Sequence, residues 1–96
     1  MAAAEILSFA GTLGIPCILG SQAEMGIGTA ACAHLGVAAP NLPYPSETFG
    51  PVRYVRDIID PPLVIENGTL RPPDGPGLGV RLNHDALREM TVPLES

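Results

Sequence analysis

A single carboxyl group, Glu24, stands where an apolar run gives way to a glycine-opened helical pattern. The stretch around it reads Gly20-Ser-Gln-Ala-Glu-Met-Gly-Ile-Gly-Thr-Ala-Ala-Cys-Ala-His-Leu35. In α/β proteins ligands bind where strands end and helices begin. A carboxyl placed there can face a reaction centre. Held protonated by desolvation, it can donate a hydrogen bond to an oxygen that gains negative charge, as in an enolate. The same position also suits a loop glutamate that pairs with helix-start N–H groups. Position alone leaves both uses open.

Gly26, Gly28 and Thr29 open the helix that follows. Gly26-x-Gly28-x-x-Ala31 fits a loose dinucleotide-binding pattern, but the context does not. Such a site wants its first glycine directly after a strand and an acid at the end of the next strand. Here a loop precedes Gly26, and the later acid, Glu47, follows a proline-rich stretch. The N–H groups at Gly26, Gly28 and Thr29 can instead hold a substrate carboxylate or phosphate. The competing reading is that the glycines only allow close helix packing. His34 reads as a hydrogen-bonded core or subunit-contact residue rather than a base. His84 reads as solvated. Ser21 and Ser46 have no nearby base to activate them. Glu47, Asp57 and Asp60 read as a solvated acidic face. No His, Cys or carboxylate set has metal-ligand spacing.

The elements that must position Glu24 follow from hydrophobic periodicity. Residues 2–13 form a helix with Ala3, Ile6, Leu7, Ala10 and Leu13 on one face, ended by Gly14. Ile15 to Leu19 is a short apolar run without alternation, which predicts a strand buried on both faces in a parallel sheet. Residues 20–26 are a loop. Ile27, Ala30, Ala31, His34, Leu35 and Ala38 mark a second helix, which Pro40 stops. Asn41 to Ser46 reads as a linker. Residues 54–59 predict a short helix or turn around Asp57. Leu63–Glu66 and Thr69–Arg71 flank Asn67-Gly68, a strong hairpin signal. Residues 72–77 form a turn-rich loop. Asn83 or Asp85 caps a last short helix through Met90.

Composition narrows the function classes. The chain has 96 residues, 46% of them hydrophobic, with 11 Gly and 11 Pro and a net charge of −5. That is one small domain with enough apolar residues for a core. All five basic residues are arginines and none precedes Arg53, so no nucleic-acid surface is expected. The charge-free runs 6–23 and 25–46 are broken by Gly and Pro and lack flanking basic anchors, so no membrane span is expected. Nor is there a basic region of the secretory kind before Glu5. Cys17 and Cys32 both lie in apolar periodic segments and suit a reduced, cytoplasmic protein without a disulfide between them.

Four blocks in order resemble the enolase superfamily, in its mandelate racemase and muconate lactonizing (cycloisomerase) branch. They are Ser21-Gln-Ala-Glu24 with Gly26-Ile-Gly-Thr29; Ala33-His-Leu35; Ser46-Glu-Thr-Phe-Gly-Pro51 with Asp57-Ile58; and Pro73-Asp-Gly-Pro-Gly-Leu-Gly-Val80 with Asn83. The resemblance spans roughly residues 2–90. It implies an α/β fold, an incomplete (β/α) barrel comprising a helix, the last barrel strand and the last helix in residues 1–40. Residues 41–96 then resemble the return segment to the capping domain, with a β-hairpin and a short helix. The family reaction is proton abstraction next to a carboxylate, giving a magnesium-stabilised enediolate. The implied substrate is a small carboxylate, and Glu24 matches the strand-end glutamate that touches it.

Departures from the family pattern are large. The family's acids on its third, fourth and fifth strands and its lysine bases have no counterpart, and this chain has no lysine. Mg²⁺ is therefore expected for the full-length family and not for this chain alone. Met1 falls just before a helix, as a truncated frame or internal start would place it. One reading is the C-terminal piece of an isomerase, cycloisomerase or dehydratase, inactive alone. The other is a non-catalytic small protein that forms a homo-oligomer or completes a partner's barrel.

Overall fold

The structure, a computed structural model, describes residues 2–94. Among these residues eight short elements follow one another: α1 (Ala2–Thr12), α2 (Gly26–Ala38), α3 (Gly50–Arg53), β1 (Ile59–Asp60), β2 (Ile65–Glu66), β3 (Thr69–Leu70), β4 (Arg81–Leu82) and α4 (His84–Met90). The α/β content agrees with the sequence reading. Local signals land where expected. Gly14, at φ 68°, ends α1. Ile15 N–H bonds to Ala10 O at 2.9 Å and Gly14 N–H to Gly11 O at 3.1 Å, the paired bonds of a left-handed helix stop. Asn67 and Gly68 both take positive φ, 50° and 71°, as a two-residue hairpin turn requires. Ile65 pairs with Leu70 and Glu66 with Thr69. Asn83 caps α4, its side chain accepting from Ala86 N–H at 3.0 Å.

Other expectations are corrected. Ile15 to Leu19 is extended but pairs with no strand. Its amides bond to a loop instead: Cys17 N–H to Asn41 O at 3.2 Å and Leu19 N–H to Ser46 Oγ at 3.1 Å. Glu47 N–H in turn bonds to Leu19 O at 2.8 Å. A strand is defined by its neighbours, and the described residues supply none for this run. The short helix expected at 54–59 lies earlier, at Gly50–Arg53, with Pro51 in its first turn. Residues 59–60 form β1 instead, antiparallel to β4, with Ile59 opposite Leu82 and Asp60 opposite Arg81.

The expected helix faces also differ. Of the apolar face of α1 only Leu7 is buried, while Ile6 and Leu13 are 66% and 59% exposed. On α2 the buried residues are Gly26, Thr29, Ala30 and Ala33, so the inward stripe is rotated away from Ile27 and Ala31. Small side chains at these positions let later segments lie directly on α2. The buried apolar set is small: Leu7, Ala30, Ala33, Ile59 and Ala86. Accessible surface is 6999 Å², about a third more than the roughly 5,200 Å² of a compact monomer of this mass. The radius of gyration is 15.1 Å, against about 12.5 Å for a compact chain of this length.

Candidate functional site

Glu24 closes a four-residue loop. Its Oε2 accepts from the Ser21 hydroxyl at 3.0 Å and from Gln22 N–H at 2.9 Å. The same Ser21 oxygen accepts from Ala23 N–H at 3.1 Å. The loop turns at Ala23, whose φ is 60°, a left-handed conformation that costs a residue with a Cβ about 1 kcal/mol or more. Glu24 Oε1 is buried and has no hydrogen-bond partner among the described residues. One carboxylate oxygen is thus fixed by the loop and the other is unengaged.

Burial pushes the Glu24 carboxyl up, but the backbone N–H groups of Glu24 and Gln22 and the Ser21 hydroxyl outweigh it, leaving its pKa below the ordinary value. The surroundings present therefore do not supply the desolvation that would hold Glu24 protonated. In the chain as it stands the group is a carboxylate. Its charge, together with burial of the thiol, raises the pKa of Cys32 on the next helix, with burial the larger cause.

The three helix-start residues all serve the surroundings of Glu24. Gly28 lies against its side chain: a Cβ there would stand 2.7 Å from Glu24 Cβ and 2.8 Å from Cγ. Thr29, fully buried, donates its hydroxyl to Glu24 O at 3.3 Å. Gly26 N–H donates to Asp57 Oδ1 at 3.0 Å. An internal carboxylate therefore already occupies the first N–H of α2, one of the groups that could hold an external anion. Asp57 was read as part of a solvated acidic face. It is half-buried and also accepts from Ile58 N–H at 2.6 Å. Sequence spacing carried no sign of this contact, since 31 residues separate its partners.

His34 is half-buried and its Nε2 bonds to Leu78 O at 3.1 Å, away from the Glu24 loop. His84 is exposed. Both cysteines are free. Cys32 lines a cavity of about 460 Å³ between α2, residues 42–49 and the β2–β3 hairpin, which Glu24 does not reach. Among the described residues no group of three or more His, Cys, Asp or Glu side chains could hold a metal ion. The donors at Glu24 do not fit magnesium, which demands near-octahedral oxygen ligands at about 2.0–2.1 Å. One carboxylate with one oxygen already engaged does not make such a site. No helix among the described residues is long and apolar enough to cross a membrane.

An acid at the end of an extended run, ahead of a glycine-opened helix, makes an α/β run–loop–helix unit. The sequence pattern described as "Enolase C-terminal domain-like" matches residues 1–86, and the chain belongs to that family. It is 37% identical over 87 residues to muconate cycloisomerase 1 of Rhodococcus opacus, covering 91% of this chain and 23% of that protein. The solved 2-chloromuconate cycloisomerase of Rhodococcus opacus superposes with a TM-score of 0.87 at 31% identity, over 93% of this chain and 24% of that one. An enolase from Thermobispora bispora, solved with magnesium and formate, gives a TM-score of 0.83 at 38% identity, over 91% of this chain and 21% of that one. This chain spans about a quarter of the length of the relatives it matches.

Proposed function

We propose that the chain is the C-terminal piece of a mandelate racemase/muconate lactonizing-type enzyme. Residues 1–40 contribute the last helix–strand–helix of the barrel, and residues 41–96 return toward the capping domain. The whole enzyme acts on a small carboxylate by proton abstraction next to the carboxyl group, as an isomerase, cycloisomerase or dehydratase. This chain has no lysine to abstract that proton. Its share is Glu24, set opposite the oxygen on which charge grows, with Gly26, Gly28 and Thr29 shaping the seat. The magnesium of the family is held by acids elsewhere in the barrel. The setting is a cytoplasmic homo-oligomer with no nucleic-acid or membrane partner.

The carrying observation is the asymmetry of the Glu24 carboxylate. Oε2 is held by Ser21 and Gln22, while Oε1 is buried without a partner among the described residues. Such an oxygen either accepts a proton or meets one. Closure of the barrel around Glu24 adds burial, which acts upward on its pKa, toward the form that donates a hydrogen bond.

The test restores the rest of the barrel. The chain is fused behind the preceding part of the Rhodococcus opacus muconate cycloisomerase, and muconate turnover is followed. Glu24→Gln is expected to lower kcat on the order of 10²–10³ with a small change in KM, as for loss of a group that acts in the transition state. His34→Gln is expected to leave kcat unchanged. Full kcat in Glu24→Gln would reduce the carboxyl to a helix-start partner. A second reading, a non-catalytic protein that self-associates or completes a partner's barrel, draws on the exposure of Ile6, Phe9 and Leu13. Stable self-assembly together with an inactive fusion favours it.

A further inference from the structure

Three contacts from the tail converge on the backbone around Glu24. The Tyr54 hydroxyl donates to Ala23 O, on the peptide that joins Ala23 to Glu24. Asp57 Oδ1 accepts from Gly26 N–H, two residues after Glu24. Between them Gly50 lies so close to Glu24 O and Thr29 Oγ1 that a Cβ would overlap both. At Gly26 a Cβ would overlap the Ile59 side chain and stand 2.8 Å from the other Asp57 oxygen. Gly50, Tyr54, Asp57 and Ile59 thus reach the loop and the start of α2, while most of the residues between them are exposed.

Ala23 is where holding matters. It carries a Cβ at φ 60°, a conformation kept only when its surroundings impose it. Both of its backbone groups are held: the N–H by Ser21 Oγ and the carbonyl by Tyr54. Ser21 lies inside the loop and would move with it. Tyr54 is 31 residues away and gives the loop an outside reference. If Ala23 relaxes to negative φ, the Cα–Cβ direction of Glu24 turns and Oε2 leaves Gln22 N–H.

We propose that Tyr54 and Asp57 are positioning residues for Glu24, acting through the backbone on either side of it. Their role in turnover rests on the function proposed for Glu24; their effect on its carboxyl does not. Their hydrogen bonds go to backbone groups rather than to the Glu24 carboxyl. Tyr54 fixes the peptide before it, and Asp57 fixes the start of α2 behind it.

The experiment titrates the full chain with ¹³C-labelled glutamate carboxyls, assigning Glu24 by loss of its signal in Glu24→Gln. Tyr54→Phe removes one hydroxyl and is expected to raise the Glu24 midpoint by about half a unit, roughly threefold in proton affinity. Asp57→Ala separates two effects by sign. Loss of a nearby negative charge alone lowers the midpoint, whereas release of the loop raises it. Asp57→Asn keeps an acceptor oxygen and serves as the folded reference, with the loop held. An unchanged midpoint in Tyr54→Phe, or a lowered one in Asp57→Ala, overturns the proposal, whatever happens to thermal stability. In the fused enzyme, Tyr54→Phe is expected to lower kcat about tenfold with KM within twofold. If Glu24→Gln keeps full kcat while Tyr54→Phe still shifts the midpoint, the functional reading fails and the positioning stands.

Discussion

Two glycines of α2 allow a paired test of how Glu24 is seated. Replacing a helical glycine with alanine ordinarily stabilises by up to about 1 kcal/mol, because the unfolded chain loses freedom and the helix gains a better former. At Gly36 nothing opposes this gain except Leu19 Cδ1, 3.3 Å from the new Cβ. That atom is the tip of a flexible side chain and can move aside. At Gly28 the new Cβ meets Glu24 Cβ at 2.7 Å and Cγ at 2.8 Å. Carbon atoms prefer about 3.5–4.0 Å, so nearly an ångström must be found. The obstructing atoms are the root of the glutamate and cannot swing away. Overpacking of this kind costs about 1–3 kcal/mol, and a displaced Glu24 also loses Ser21 and Gln22. Gly36→Ala is therefore expected to be neutral or stabilising, and Gly28→Ala destabilising, with a gap of about 2–3 kcal/mol. Urea denaturation of the two variants side by side reads the gap, and the Glu24 carbon shift reads the displacement. Equal stabilities with an unmoved Glu24 signal would show that the close approach to Gly28 does not seat the carboxyl.

The acid limb of the stability curve should report the same group. The folded pKa of Glu24 lies below its ordinary value of 4.5. Its contribution is full above that value and lost as pH falls through the lower folded one. Unfolding measured from pH 6 to pH 3 should show Glu24→Gln less sensitive to acid than the parent chain; equal slopes would contradict the loop geometry. The exposed side chains of α1 and the run after it make a third case. Ile6, Phe9, Leu13 and Ile15 are 66%, 68%, 59% and 52% exposed, more contiguous apolar surface than a monomer usually tolerates. Sedimentation of the isolated chain should show concentration-dependent assembly, reduced by Phe9→Ser; a monodisperse monomer across the concentration range would refute it.

What was legible in the sequence was local chemistry. Gly14, Asn67-Gly68 and Asn83 each act within a few residues of themselves, and each ends up where its backbone preference puts it. The ordered blocks from Ser21 to Asn83 carried the family, because several short motifs in sequence are more specific than any one. Ile15 to Leu19 is extended as its apolar run predicts, but it is neither buried on both faces nor paired among the described residues, because pairing depends on neighbours that a local run does not carry. The faces of α1 and α2 failed for a related reason. Periodicity shows which residues share a side, not what covers it. The contacts of Tyr54 and Asp57 were out of reach, since each joins residues 31 apart, and the block that contains Asp57-Ile58 marks the family without saying what Asp57 touches. The direction in which the Glu24 carboxyl is shifted was closer to hand. Ser21 and Gln22 supply donors within three residues, and a reading that weighed them against burial would have found the sign.

The lacing of Ile15 to Leu19 has a consequence for how this segment breathes. A strand inside a sheet exchanges its amide hydrogens as a block, because opening one ladder bond strains the next. Here Cys17 leans on the Asn41 carbonyl and Leu19 on the Ser46 hydroxyl, two partners five residues apart in a proline-rich loop. Each bond opens alone. The amides of Cys17 and Leu19 should therefore exchange at unrelated rates and by small local excursions. Seating against true neighbouring strands would synchronise them, and deuterium uptake over these residues would change from scattered to concerted.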